Sequence, residues 1–160
     1  MATLPQLIED DIERLGEALR EFIVSTDATA ALVIDKGGFL ITHQGDASEF
    51  DLTTIAALSS GAFMANQTIA GLVNEKNFNS IYQQGEKFSM FVCNVDEHCL
   101  LVVIFQSRTG VGVVRFYAGG AVKRIAEQLA VARARNPGAG LDLSAMNVAD
   151  PRQLFRKKEL

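Results

Sequence analysis

From Leu52 to Asn74 the chain carries no charged residue, and this stretch limits the possible folds more than any other. Its apolar residues recur at intervals of three and four, which predicts a helix with one apolar stripe facing the core of its own domain. The residues of this predicted core stripe are Ile55, Leu58, Ala62, Ala65, Ile69 and Leu72. Asp51 stands at the start as a suitable N-cap.

The other side of this helix carries small, uncharged or soft residues where a solvated helix would carry Lys and Glu. A membrane does not explain it, because Thr, Ser, Asn and Gln interrupt any run of about 18 apolar residues. We therefore expect a helix buried on two sides, by its own domain and by another chain. The alternative is a helix enclosed within a single domain.

Size and charge narrow the class of protein. A chain of 160 residues, 48% hydrophobic, is typical of one globular domain that buries about two thirds of its unfolded surface. A net charge of -4 argues against nucleic-acid binding, which needs a basic face. With no N-terminal signal sequence and no Cys-x-x-Cys pair, we expect a cytoplasmic protein with reduced, structural cysteines at Cys93 and Cys99.

The periodicities predict helix, two strands, helix, three strands, helix and a tail. The first helix is predicted over residues 4–23, with its end near 25–27. The strand over 78–83 is polar and is predicted at a sheet edge, whereas the apolar strand over 99–105 is predicted at the centre. Ser107 or Thr109 is predicted to cap the last helix, and Pro137 begins the tail. The predicted strands span 30–35, 39–43, 78–83, 88–93 and 99–105.

Catalytic groups are not apparent in the sequence. His43 and His98 have no recognisable partner, and His98 and Cys99 are adjacent on a strand and so point to opposite faces. We therefore predict no metal and no cofactor. Arg108 and Arg115 are candidates for arginine fingers, although salt bridges are the more ordinary role of an Arg near a helix start.

Three segments together resemble the Roadblock (dynein light chain) superfamily: ALVIDKGGFLI, the D-x-x-x-IAAL-x-x-G-x-x-x-A of the uncharged stretch, and LLVVIFQSRTGVGVVR. The resemblance implies an α/β fold of order α-β-β-α-β-β-β-α, with a five-stranded, mainly antiparallel sheet, helices on both faces, and a homodimer. Residues 1–135 would form this domain and 136–160 a flexible or short helical tail. Asn74 stands where relatives are expected to carry Gly.

Within the superfamily, the sequence is similar to the bacterial MglB-type regulators of the Ras-like GTPase MglA. This likeness implies a non-enzymatic homodimer that activates one GTPase, in the cytoplasm and at a cell pole. It implies a GTPase-facing surface of Ala57, Ser60, Gly61, Met64, Gln67, Thr68 and Gly71. It implies a dimer interface of Phe63, Asn79, Ser80, Ile81, Tyr82 and Gln83.

The same likeness implies that the tail reaches the GTPase through Leu154, Phe155 and Arg156 and promotes nucleotide exchange. The alternative function is a Roadblock-type dimeric scaffold that bridges larger proteins without changing GTP hydrolysis. A small-molecule sensor or enzyme would need a polar pocket, which the sequence does not predict.

Overall fold

The computed structural model describes residues 4–135 and has the predicted order of elements. Three helices and five strands make up the domain, together with a short 3-10 turn over Ser107–Thr109. The helices are α1 (Glu9–Thr26), α2 (Leu52–Leu72) and α3 (Val111–Arg135). The strands are β1 (Ala30–Asp35), β2 (Leu40–Gly45), β3 (Ser80–Gln83), β4 (Phe88–Asn94) and β5 (Cys99–Gln106).

The strands form one antiparallel sheet in the order β2-β1-β5-β4-β3. The central position of β5 is confirmed, since every residue from Cys99 to Phe105 is buried. Such an unbroken apolar strand requires cover on both faces of the sheet. The edge position of β3 is confirmed as well, because β4 is its only neighbour among the described residues.

Two apolar clusters lie on opposite faces of the sheet. The larger one joins α1 and α3 to the sheet, with Leu15, Leu19, Phe105, Ile125 and Leu129 fully buried. The smaller one lies under α2, which packs mainly on β1, β2 and β5. The result is a three-layer arrangement in which a single helix covers one face of a five-stranded sheet.

The first helix begins later than predicted. It starts at Glu9, because the carboxylate of Asp11 accepts a hydrogen bond from the Ile8 backbone N–H at 2.9 Å and so ends the extended segment before it. Asp11 also accepts bonds from Gln128, at 2.7 Å, and from both terminal nitrogens of Arg135, at 2.8 and 3.0 Å. A fully buried carboxylate thus joins the start of α1 to the end of α3.

The Asp11 carboxylate makes the stability of the fold depend on pH. Chiefly through the hydrogen bonds from Arg135, its pKa is lowered from 3.8 to about 2. Because the folded pKa lies below the unfolded one, the contribution is complete above about pH 4 and is lost as the pH falls toward 2. We predict that Asp11→Asn lowers the free energy of unfolding by about 1–2 kcal/mol at pH 7, an amount reduced by solvent around the partly exposed Arg135.

Urea unfolding at pH 7 and at pH 2.5 tests this prediction, and Asp10→Asn is the matched control. Asp10 pairs with Arg14 on an exposed surface, where an ion pair contributes little. The Asp11→Asn difference should shrink at the lower pH. An equal loss at both pH values, or a loss in Asp10→Asn as large as in Asp11→Asn, would contradict the assignment.

The ends of α2 and the start of α3 differ in how far they match the predictions. Asp51 is confirmed as the N-cap, since its carboxylate accepts from the Thr54 N–H at 3.1 Å. The helix ends at Leu72, and Asn74 then adopts φ 60°, a left-handed conformation that Asn tolerates. Gly adopts this conformation most easily, which explains why relatives are expected to carry Gly at this position. The predicted cap of α3 at Ser107 or Thr109 was wrong, because α3 begins at Val111 and Gly110 precedes it. Ser107 donates instead to the Gly85 carbonyl at 2.6 Å.

No helix within residues 4–135 has the length and apolar character needed to cross a membrane.

Candidate functional site

The side of α2 that faces the sheet is not the predicted core stripe. The buried residues are Leu52, Ala56, Ser59, Ser60, Phe63 and Ala70. Ile55 and Ala62 of the predicted stripe are half-buried at its margin, and Ile55 packs against the cluster under α2. Leu58 and Leu72 of that stripe are instead 69% and 79% exposed. With no charges on either side, the helix carries two apolar surfaces, and periodicity alone favoured the one with larger aliphatic residues. Phe63 fills the space over the sheet, while small residues beside it let the helix lie close.

The correction leaves a row of apolar side chains exposed along α2. We call Leu58, Ala65, Ile69 and Leu72 the α2 apolar stripe. Nothing among residues 4–135 covers it. The sheet face beside α2 is also incompletely covered, since Ile81 on β3 and Met90 on β4 are only half-buried there. The sequence predicted that α2 has a second apolar surface, beyond the one that faces its own core. Such a surface is present, but it lies on the side that the sequence analysis assigns to the core.

The predicted GTPase-facing residues lie mostly together on the outside of α2. Five of them are exposed and form what we call the α2 platform: Ala57, Gly61, Met64, Thr68 and Gly71. Gly61 and Gly71 have open space around them, so a partner could approach the backbone closely there. The platform and the α2 apolar stripe together make an uncharged outer surface along the whole helix.

Two residues of the same prediction lie elsewhere. Ser60 is buried, and its hydroxyl donates to the Lys36 carbonyl, so it holds the β1–β2 turn against α2 and does not face outward. Gln67 is half-buried and donates to the Phe78 carbonyl at 2.7 Å, which fixes the chain between α2 and β3. Both side chains therefore support the α2 platform from within the chain and do not belong to its exposed surface. Ser60 is therefore removed from the candidate partner-binding residues.

The β1–β2 turn contributes groups that the sequence did not single out. Gly38 has φ 97°, and a Cβ there would lie 3.1 Å from Ala57 Cα, so this turn touches α2 directly. Next to it lies an open cavity of about 370 Å³ that adjoins Met64 and has Lys36, Asn77 and Asp96 on its walls. Burial lowers the pKa of Lys36. No spacing in the sequence links these three residues, because separate connections bring them to one end of the sheet.

The predicted dimer residues on β3 lie at an open sheet edge. Asn79 and Gln83 are exposed, and Ser80, Ile81 and Tyr82 are half-buried. Asn94 donates to the Asn79 carbonyl at 3.0 Å, so by the alternation of an antiparallel ladder the N–H groups of Ser80 and Tyr82 point away from β4. An edge of this kind can pair with another strand.

Phe63 does not belong with these edge residues. It is 3% exposed and packs in the cluster under α2, so its side chain contacts the core of its own chain, and its assignment to the dimer interface stays a prediction. The predicted tail residues Leu154, Phe155 and Arg156 lie outside the described residues.

The two cysteines are buried in the central part of the sheet. Cys93 and Cys99 are free and buried, and burial raises the pKa of the Cys93 thiol to about 12 and that of Cys99 further. Such thiols are poor nucleophiles. Residues 4–135 also contain no group of three or more His, Cys, Asp or Glu side chains that could hold a metal ion.

Neither of the two candidate arginine fingers lies on α2. Arg115 lies on α3, with its guanidinium 5.6 Å from the centre of the Phe91 ring, in the layer on the opposite face of the sheet. Arg108 lies in the 3-10 turn that leads into α3. The outer surface of α2 therefore carries neither of these cations.

Comparisons with known proteins agree with this architecture. The family model of the Roadblock/LC7 domain matches residues 15–105. An MglB with a tetrameric arrangement is 30% identical, with a TM-score of 0.76 over 82% of this chain and 99% of that chain. The gliding protein MglB from Thermus thermophilus is also 30% identical, with a TM-score of 0.73 over 81% and 98% of the two chains.

MglB from Myxococcus xanthus is 28% identical, with a TM-score of 0.67 over 71% of this chain and 92% of that chain. A sequence search against curated proteins found no significant match.

Proposed function

Because this chain belongs to the Roadblock/LC7 domain family, we propose that it is a dimeric regulator that binds a Ras-like GTPase of the MglA type and accelerates its GTP hydrolysis. The observation that carries the proposal is the uncharged outer surface of α2. Leu58, Met64 and Leu72 are 69%, 51% and 79% exposed there. Contiguous exposed apolar surface of this kind marks a protein interaction site. The likeness to MglB structures supports the same class of partner.

In the proposed assembly, a second copy covers the α2 apolar stripe and pairs with β3. Pairing at β3 would satisfy the outward N–H groups of Ser80 and Tyr82 and extend the five-stranded sheet across a two-fold axis. The half-buried Ile81 and Met90 would then gain cover from the same neighbour. One interface thus accounts for both the open edge and the exposed stripe.

The GTPase would bind the α2 platform, which the dimer leaves free. Small residues there allow a switch loop to approach the helix backbone, and Met64 can adapt its shape to it. Because α2 carries no Lys or Arg, it offers no arginine finger to the developing charge on the transferred phosphoryl group. The regulator would act by holding the GTPase's own catalytic residues in place, so we propose that it is not itself an enzyme.

Mixing this protein with the GTP-loaded GTPase tests the proposal. We predict that phosphate release accelerates with regulator concentration and reaches its plateau near two regulator chains per GTPase. Unchanged phosphate release at several-fold molar excess would overturn the activating role. If the two proteins nevertheless formed a complex, the alternative function, a dimeric scaffold that does not change GTP hydrolysis, would be favoured.

A further inference from the structure

A second exposed apolar area lies on α3, on the opposite face of the sheet from α2. Its most exposed member is Phe116, at 77%, followed by Tyr117 and Val113 at 42% and 41%. The Phe116 and Tyr117 rings pack edge to face with their centres 5.0 Å apart. We call Gly112, Val113, Phe116, Tyr117 and Gly120 the α3 patch. A groove of about 190 Å³ between α1 and α3 adjoins it at Tyr117 and Gly120.

On α3 itself the residues around the patch are basic, whereas the α1 side of the groove carries Glu21. No Asp or Glu occurs from His98 to Ala126, a stretch that includes Arg108, Arg115, Lys123 and Arg124. Arg124 pairs with Glu21 of α1, whereas Lys123 makes no ion pair with any residue in 4–135. The patch thus suits an apolar segment that carries negative charge.

The chain itself contains such a segment beyond the described residues. Residues 141–150 carry Leu141, Leu143, Met146 and Val148 together with Asp142 and Asp150, and no Lys or Arg occurs from Asn136 to Pro151. An acidic, apolar decapeptide therefore follows the helix that bears a basic, apolar patch. Their charges and apolar character are complementary.

The segment begins close enough to reach the patch. Along α3, Tyr117 lies about 27 Å from Arg135 at 1.5 Å per residue. The eleven residues from Asn136 to Met146 can span about 36 Å when extended. Asp11 holds Arg135 in place, so the starting point of the segment is fixed. Pro137, Gly138 and Gly140 favour a change of direction directly after α3.

A second copy is a less suitable occupant. Two α3 patches facing each other across a two-fold axis would bring Arg115 and Lys123 near their own equivalents, and like charges oppose such a contact. We propose that residues 141–150 dock on the α3 patch of the same chain, with an apolar side chain in the groove between α1 and α3. The tail then shelters Phe116 and Tyr117 and keeps its own apolar residues from other partners.

Hydrogen exchange and an introduced tryptophan test the proposal in the full chain. The sequence contains no Trp, so Met146→Trp gives a single reporter. We expect slowed amide exchange in residues 141–150 and, in Met146→Trp, blue-shifted emission that resists acrylamide. Adding Phe116→Ser should abolish both signals. Phe116 is exposed, so this change should leave thermal unfolding of the domain almost unaltered.

Val131→Ser is the matched control, because Val131 is an apolar residue of the same helix, 52% exposed and outside the patch. Val131→Ser should leave the slowed amide exchange of residues 141–150 intact. Lys123→Glu should reduce this protection, and raised salt should reduce it in the parent protein. Unprotected amides in the parent, equal loss in Val131→Ser, or protection that disappears on dilution would each overturn the proposal, the last in favour of a second copy.

Discussion

Replacing Thr68 with Arg is expected to abolish activation of the GTPase while leaving the regulator folded and dimeric. Thr68 is an exposed residue of the α2 platform, so the long cationic side chain is solvated in the free protein. In the complex it would be buried without a partner, which costs several kcal/mol. A loss of about 2.7 kcal/mol already lowers affinity about 100-fold. Binding titrations and phosphate release measure the effect.

Ala130→Arg is the matched control for this substitution. Ala130 is an exposed residue of α3, so it adds the same charge on the opposite face of the sheet. Activation should be unchanged in this variant. If Thr68→Arg activated the GTPase as well as Ala130→Arg does, the α2 platform would not be the GTPase-binding surface. If Thr68→Arg became monomeric, the platform would belong to the dimer interface instead.

Replacing Ile69 with Asp is expected to convert the proposed dimer to monomers. Ile69 lies in the α2 apolar stripe and is 46% exposed, so the change should cost the protomer little stability. In the proposed dimer, each copy would bury a carboxylate without a partner, and two-fold symmetry would impose that cost twice. We expect the dimer dissociation constant to rise more than about 1,000-fold. Sedimentation over a concentration series should show only the 17.3 kDa chain.

Ile69→Val retains an apolar side chain and should remain dimeric.

Ser80 provides a second, independent variant, because its outward N–H is proposed to pair with the neighbouring β3. Ser80→Pro removes that donor at the first residue of a strand, where Pro is tolerated. Ser80→Ala keeps it. A dimer that survives both Ile69→Asp and Ser80→Pro would place the interface elsewhere.

The order of elements was predictable because hydrophobic patterns differ between central strands, edge strands and helices. The apolar run ending at Phe105 is typical of a strand covered on both faces, and the polar strand ending at Gln83 is typical of a sheet edge. The start of α1 was not predictable to the residue. It depends on the Asp11 carboxylate, whose partners Gln128 and Arg135 are distant in sequence.

The rotation of α2 about its axis was the main feature that the sequence could not determine. Charged residues ordinarily identify the solvent side of a helix, and here there are none. The structure resolves the ambiguity through Phe63, which fills the space above the sheet, and through the bond between Ser60 and Lys36. The small residues of the platform were predicted from the likeness to MglB-type regulators, although the buried side of α2 had been assigned to a different stripe. The cavity beside Met64 was missed, since its walls come from three separate connections.

Thiol labelling at two positions of α2 tests the central claim that other chains cover its outer surface. Cys93 and Cys99 are buried, so a single introduced cysteine can be followed. Leu72→Cys should react slowly in the protein alone at concentrations that maintain the dimer. Thr68→Cys should react quickly alone and slowly once the GTP-loaded GTPase is added. If both thiols react at the rate of an exposed Ala130→Cys under every condition, the surface is open to solvent and the account is wrong.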